Sequence, residues 1–316
     1  ITTDIEATIK EEGEIVVSAK LFLDIVRRLP EEIVFIETDE RMVTYIACGK
    51  VNYQIVGMSS VEYPDLPSFE QTDRITLNAK ILRDMIRQTV YAVSENTAKP
   101  IYTGSLYEIE DGVFKIIAID GYRMAIRSEN VDSESKNRFV VPGKTQHEVL
   151  KLLTDDEENT EIIIGQRHIT FKIKNYRIIS RLIEGTFIEY KSAIPKETKT
   201  EVVINTRTII DAVERMSLLN NDRIQSPVRC IFSDDEIKLS CTSAVGRAND
   251  VISVPIIGES VEIGFNNRYL LDALKNADTD EIKLILNGSL TAMIVKPVKG
   301  DSYLSIVVPM RLANEN

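Results

Sequence analysis

Two histidines, His147 and His168, are the only imidazoles in 316 residues, and neither has the company that would put it to work. A metal-binding or catalytic imidazole needs a Cys, His or carboxylate at ligand spacing, and neither has one. The three cysteines, Cys48, Cys230 and Cys241, are far apart. They form neither a disulfide framework nor a C-x-x-C motif; Cys230 and Cys241 lie in strand-like runs, and buried thiols in a reducing cytoplasm are the reading. No G-x-S-x-G, G-x-x-x-x-G-K-[ST] or G-x-G-x-x-G occurs. The acid run "TDDEEN" (154–159) reads as a solvated loop. With 49 acids in the chain, one carboxylate chemistry stays open: a hydrolase on a repeat α+β scaffold, which a deep pocket with two close, strongly perturbed acids would support. Otherwise the residues point to no enzyme, no metal and no cofactor.

The patterned chemistry is charge. The whole chain carries −11, which by itself argues against a nucleic-acid binder. Five segments of helical periodicity depart from that balance: 20–29, 80–93, 144–153, 207–219 and 268–277. Together they hold 12 bases against 6 acids, a net +6 that leaves −17 on the rest. One explanation is an ordinary solvated helix face. The other is a basic, helix-lined surface that tracks a phosphate backbone by charge alone, with acidic walls around it. Nothing resembles a recognition helix or an aromatic stacking platform, so such contacts would hold DNA without reading it.

The elements that carry these bases repeat. "VSAKLFLDIVRRL" (17–29), "VPGKTQHEVLKLL" (141–153) and "FNNRYLLDALKNA" (265–277) each run from an extended apolar residue through a turn into a short amphipathic helix. Each helix opens on a base with an acid four residues later: Lys20 and Asp24, Lys144 and Glu148, Arg268 and Asp272. That spacing predicts i,i+4 ion pairs. Alternating apolar runs with turns follow each helix, including an Asn287-Gly288 hairpin signal. A second repeat joins "ITLNAKILRDMIRQTVYAVS" (75–94) to "VVINTRTIIDAVERMSLLN" (202–220), each a strand, a capping Asn and a longer helix. The fold class is α+β: repeated domains, each with two helices packed on antiparallel sheets. Proline-bearing linkers at 61–73 and 190–200 divide the chain into 1–70, 74–195 and 200–316. The opening segment matches only the back half of a unit. A front half on the order of 55 residues, judged from the other copies, is expected to be missing.

Two motifs complete the reading. "KIIAIDGYRMAIRS" (115–128) is a strand, an Asp120-Gly121 bend and a second strand; by itself it is an ordinary hairpin. "SIVVPMRL" (305–312) is an apolar strand at the end of the chain, where tails usually fray and turn polar. Together with the repeat, they make the chain, from Thr3 to Leu312, resemble the bacterial DNA polymerase III beta subunit family, the processivity sliding clamps. The resemblance implies a non-catalytic, head-to-tail homodimeric ring around duplex DNA, with helices lining the hole and sheets on the rim. The lining residues it points to are Lys20, Arg27, Lys80, Arg83, Arg87, Lys144, Lys151, Arg207, Arg215, Arg268 and Lys275. It also implies a hydrophobic cleft between the second and third domains. There, short peptide motifs of the polymerase catalytic subunit, the clamp loader and repair proteins would dock.

Gly121, Tyr122, Arg123 and Met124 match one wall of that cleft. Ile306, Val307, Val308, Pro309, Met310, Arg311 and Leu312 match another, and Tyr102, Ile119, Ile188, Ser192, Ala193 and Ala292 are further matches. The family often has His at the position of Tyr122, Thr at Ile119, Pro at Ile188 and Arg at Ser192, so this cleft is expected to be more apolar and less basic. Tyr53 and Ile55, on an edge strand of the first domain, would meet Leu218 and Leu219 of a second copy. No apolar run approaches the roughly 20 residues of a membrane helix. No membrane partner and a cytoplasmic location are expected.

Overall fold

The computed structural model describes residues 1–64, 73–154, 158–220 and 226–312. Part of the first linker (65–72), the middle of the acid run (155–157) and the tail 313–316 lie outside the described residues. Two compact units form: Ile5–Glu70, and Ile1–Asp4 together with Gln71–Asn316.

After a short strand β1 (Thr2–Thr3), which belongs to the larger unit, the smaller unit holds α1 (Ala19–Val26), β2 (Val34–Thr38), β3 (Val43–Cys48) and β4 (Val51–Val56). The strands form one antiparallel sheet in the order β2-β3-β4. Ser18 caps α1, and Ile25 packs with Ile46 and Ile55 in its core.

The larger unit repeats one plan. The first pass is β5 (Asp73–Asn78), α2 (Ala79–Val90), β6 (Gly104–Glu110), β7 (Val113–Ile119), β8 (Arg123–Asn130), β9 (Asn137–Pro142), α3 (Gly143–Leu152), β10 (Asn159–Ile164), β11 (His168–Ile173) and β12 (Tyr176–Arg181). The second is β13 (Thr200–Asn205), α4 (Thr206–Ser217), β14 (Val228–Ser233), β15 (Glu236–Ser243), β16 (Gly246–Ser253), β17 (Ile256–Gly258), β18 (Val261–Phe265), α5 (Asn267–Lys275), β19 (Glu281–Leu286), β20 (Met293–Pro297) and β21 (Tyr303–Val307).

The helices form where capping and periodicity agree. Asn78, Asn205 and Asn266 accept hydrogen bonds from the first-turn amides of α2, α4 and α5. Each such cap is worth about 1 kcal/mol. Packing outweighs it: α2 buries Leu82, Met85, Ile86 and Val90, at about 2 kcal/mol each. The i,i+4 pairs expected in the three short helices do not form. Asp24 turns to Arg28, Glu148 to Lys151 and Asp272 to Arg123. The first two place the acid before the base, the order that agrees with the helix dipole. Asp272 finds a partner already removed from water, since Arg123 is 5% exposed.

One sheet joins the two passes. Its order is β17-β13-β19-β20-β21-β8-β7-β6-β9, with β8 and β21 as the antiparallel seam. The others are β1-β12-β11-β10-β5 and β16-β15-β14-β18. Alternation along the nine strands sorts side chains onto two faces. Tyr107, Ile109, Phe114 and Ile116 pack with α2, while Met293, Val295, Tyr303 and Val307 pack with α4 and α5. The opposite face carries Leu106, Ile117, Met124, Ile126, Ile294 and Ile306. The Asn287-Gly288 signal does mark a hairpin, but its loop runs over 287–292 rather than two residues. A two-residue I′ turn needs positive φ at both central positions, and only Gly288 has it, at 99°.

Candidate functional site

The site grows from the loop between β7 and β8. Asp120 Oδ1 accepts from the amides of Tyr122 (2.8 Å) and Arg123 (3.0 Å), closing a side-chain-capped turn. Gly121 sits in it at φ 93°, a conformation glycine adopts without a Cβ clash. Beside this loop, β21 pairs with β8, Ile306 opposite Met124 and Val307 opposite Arg123. The chain then leaves the ladder. Val308 N donates to Tyr122 O at 2.8 Å, Pro309 has no amide to give, and Met310 N donates to Gly264 O on β18 at 2.8 Å. A Cβ on Gly264 would lie 2.6 Å from Leu312 Cδ2, so the tail seats where only glycine leaves room.

These bonds gather the two motifs, 181 residues apart at Met124 and Ser305, into one surface. Tyr122, 60% exposed, stacks on Tyr269 of α5 with ring centroids 5.7 Å apart. Val308 and Arg311 are exposed, and Pro309, Met310 and Leu312 are half-buried. Met124 and Ile306 form the floor, with Tyr102, Ile119 and Ala292 packed partly buried in the same cluster. Ile188, Ser192 and Ala193 lie exposed on the segment whose Phe187, Tyr190 and Ile194 enter that cluster. Tyr190 pins the segment by donating to Glu108 Oε1 at 2.7 Å. Burial and that bond both push its phenol up. The result is a shallow apolar surface with an aromatic pair at one side, suited to aliphatic and aromatic side chains of an extended segment. Val307 is turned the other way, into the core with Tyr303 and Val295. Arg123 is also off the surface, at 5% exposure.

The candidate lining bases of the larger unit lie on α2–α5, on the other side of the nine-stranded sheet. Most already hold a carboxylate. Lys80 pairs with Asp84, Arg87 with Asp84 and Asp278, Lys151 with Glu148, and Arg207 with Asp211. Arg215 pairs with Asp250, Arg268 with Glu95 and Lys275 with Glu214. Arg83 is half-buried, and Lys144 is exposed without an ion pair among the described residues. In the smaller unit Lys20 and Arg27 are exposed on and beside α1. There, Tyr53 is exposed on the edge strand β4, but Ile55 is turned into the core at 6% exposure. A second copy on that edge would meet backbone and Tyr53 rather than Ile55. In the larger unit Leu218 is 82% exposed, while Leu219 packs partly buried on the core.

Sequence reasoning missed Tyr269, Gly264 and Asp272. A glycine inside the strand-like run "EIGF" was a usable signal of close backbone approach. Tyr269 carried none, because an aromatic in an amphipathic helix reads as core.

Among the described residues, catalytic groups do not assemble. Among the described residues, no cluster of three His, Cys, Asp or Glu could hold a metal ion. His147 Nδ1 faces Gly143 O at 2.7 Å within α3. All three cysteines are buried, and burial pushes the Cys230 thiol up to about 12. Among the described residues, the displaced carboxyl pKa values are lowered: Glu110 by Lys136, Glu161 by Lys172, Glu214 by Lys275 and Asp39 by the Val43 amide. Surface ion pairs and amide bonds do this; two acids sharing a proton would raise one of them. No helix among the described residues is long and apolar enough to cross a membrane.

Comparison with known proteins agrees with the fold and replaces two expectations. Family models for the DNA polymerase III beta subunit match the whole arrangement: N-terminal domain over residues 1–67, central domain over 76–189 and C-terminal domain over 191–311. The first match does not support the expectation that residues 1–70 lack half a domain. A protein of Halalkalibacterium halodurans named beta sliding clamp is 34% identical over 310 residues, 96% of this chain and 82% of its own. A putative DNA polymerase III beta subunit of Eubacterium rectale superposes with TM-score 0.94 and 32% identity, covering 98% of this chain and 84% of its own. The Bacillus subtilis DNA polymerase sliding clamp gives 0.94 and 32%, covering 97% and 82%. None of these names supports the hydrolase alternative.

Proposed function

The chain belongs to the DNA polymerase III beta subunit family, the beta sliding clamps, which are processivity factors and not catalysts, and on that premise we propose how its surfaces are used. Two copies close head to tail into a ring around duplex DNA. Each contributes domains at 1–70, 74–195 and 200–316, a division that the matched ranges 1–67, 76–189 and 191–311 support. The free edges of β4 and β16, with Tyr53 and Leu218 exposed nearby, support edge-to-edge closure, which would also protect those edges from aggregation. The bases of α1–α5 face the duplex and hold phosphates without reading sequence. The surface of Tyr122, Val308, Pro309, Met310 and Leu312 receives short peptides of the polymerase catalytic subunit, the clamp loader and repair proteins. The location is cytoplasmic.

One sheet carries this reading. The nine-stranded sheet has the base-bearing helices of the larger unit on one face and the apolar surface on the other. Track and tether can therefore be occupied together. With Tyr122, Ile119, Ile188 and Ser192 in place of the family's frequent His, Thr, Pro and Arg, the surface favours apolar peptides and leans less on acidic ones. Calorimetry with a Gln-Leu-Ser-Leu-Phe peptide tests it. The expected result is micromolar binding that is lost in Met310→Asp, while that variant keeps its affinity for duplex DNA. No binding by the unaltered chain would overturn the assignment of the cleft.

A further inference from the structure

Arg123 lies beneath the proposed cleft, with two of its nitrogens on carboxylates and its Cζ close to two aromatic rings. Its Nε donates to Asp120 Oδ2 at 3.0 Å, and Nη1 pairs with Asp272 of α5. Its Cζ lies 4.6 Å from the Tyr269 ring centre and 5.4 Å from that of Tyr91, at the end of α2. Such stacking over aromatic faces suits the flat, weakly hydrated guanidinium better than an ammonium. Around it a second set of bonds crosses the same seam. Tyr91 and Ser305 hydroxyls lie 2.9 Å apart, Tyr91 and Tyr303 hydroxyls 3.0 Å, and Tyr303 OH donates to Ala273 O at 3.3 Å.

We propose that Arg123 is a positioning residue, an inter-domain latch that sets the cleft without touching the peptide in it. The proposal rests on the cleft assignment above. One side of the latch is the Asp120–Arg123 loop, whose Tyr122 carbonyl holds the Val308 amide and so fixes where the tail begins. The other side is α5, whose Tyr269 ring is the second half of the exposed stack. The guanidinium ties both to one setting, so Tyr122, Tyr269 and the 308–312 tail present a common surface. Arg123 is itself 5% exposed, and swinging it out to a peptide carboxylate would open both ion pairs and leave Asp120, at 10% exposure, without its partner, which is unfavourable for a group this far from water.

The latch predicts that Asp272, a helix residue outside the apolar surface, matters for peptide binding. Calorimetry with the Gln-Leu-Ser-Leu-Phe peptide compares the unaltered chain with Asp272→Asn, Arg123→Lys and the double variant. Each single change is expected to weaken binding about tenfold, as loss of a charged hydrogen bond does. The double variant should be no weaker than the worse single one, because both remove the same link. Hydrogen exchange in the unliganded chain reads the latch independently. In Asp272→Asn, the amides of Tyr122 and Val308 should exchange faster, though neither residue was altered. Asp272 is 31% exposed, so this variant is the milder change for folding.

If Asp272→Asn leaves both affinity and exchange unchanged while Arg123→Lys weakens binding, Arg123 acts on the peptide directly and the latch is wrong. If the unaltered chain binds no peptide, the cleft assignment falls. Exchange at Val308 then decides the latch alone, acceleration supporting it and no change overturning it.

Discussion

At Gly264 a single hydrogen decides whether the tail can seat. Past Pro309 the chain bridges Met310 to Gly264 of β18, where a Cβ would stand 2.6 Å from Leu312 Cδ2 and 3.1 Å from Met310 O. The first atom ends a flexible side chain and can swing aside; the second is backbone and cannot. Gly264→Ala is therefore expected to lift the tail rather than break the strand. It should cost roughly 1 kcal/mol of stability, the low end for overpacking, and weaken the pentapeptide several-fold. Thermal unfolding and calorimetry measure the two, and unchanged peptide affinity would refute it. At this scale the sequence was legible where a motif is contiguous. Asp120-Gly121 reads as a bend and is one, and Pro309 ends a strand as prolines do. Asp272 was misread as the i,i+4 partner of Arg268, because its real partner lies 149 residues away and no local spacing encodes that.

Among the elements, the helices were the clearest in the sequence, since Asn caps and apolar periodicity agree at 78, 205 and 266. Their bases were legible too, but their degree of neutralisation was not. Counting charges along a helix gives a net surplus; it does not show Glu214 reaching Lys275 at 2.6 Å, or Asp250, on β16, reaching Arg215 at 2.5 Å. Bases held this way release fewer counterions on meeting phosphate. Eleven free contacts from each copy, twenty-two in the ring, would give a slope of about −20 in log affinity against log salt. The paired helices predict a clearly shallower slope and a loose grip, the property a sliding contact needs. Glu214→Gln frees Lys275 in both copies of the ring and should steepen the slope by up to about 2. Anisotropy of a labelled duplex between 50 and 200 mM salt, a range over which phosphate contacts change affinity by about 10³ or more, measures it. A slope near −20 in the unaltered chain, or no change in the variant, would refute local neutralisation.

For the whole molecule, the repeat announced the domains but not how two of them fuse. Alternation tells which face a strand shows; it does not name the strand it pairs with, so the β8–β21 seam had no signature in the chain. Its consequence is that one sheet runs through both passes, with tyrosines closing it behind the proposed cleft. Tyr91 meets Tyr303 and Ser305 there, and burial pushes its phenol up to about 12 from an ordinary 10. Tyr303 and Tyr107 are also raised by burial. A phenol whose folded pKa is raised favours folding fully below the pH where the unfolded phenol ionises. That contribution is lost as pH climbs through the folded value, since the unfolded chain then gives up protons the folded chain keeps. Stability should begin to fall near pH 9, where the unfolded Cys230 thiol ionises, and fall faster between 10 and 12 as the tyrosines follow. Urea unfolding at pH 8, 10 and 11 tests this. Tyr91→Phe should lower stability at pH 8 by about 1 kcal/mol for its lost hydrogen bonds, yet lose less than the unaltered chain between pH 10 and 11. Equal losses in the two would mean that the seam opens to water before its phenols are asked to ionise, and that the fused sheet is not one cooperative body.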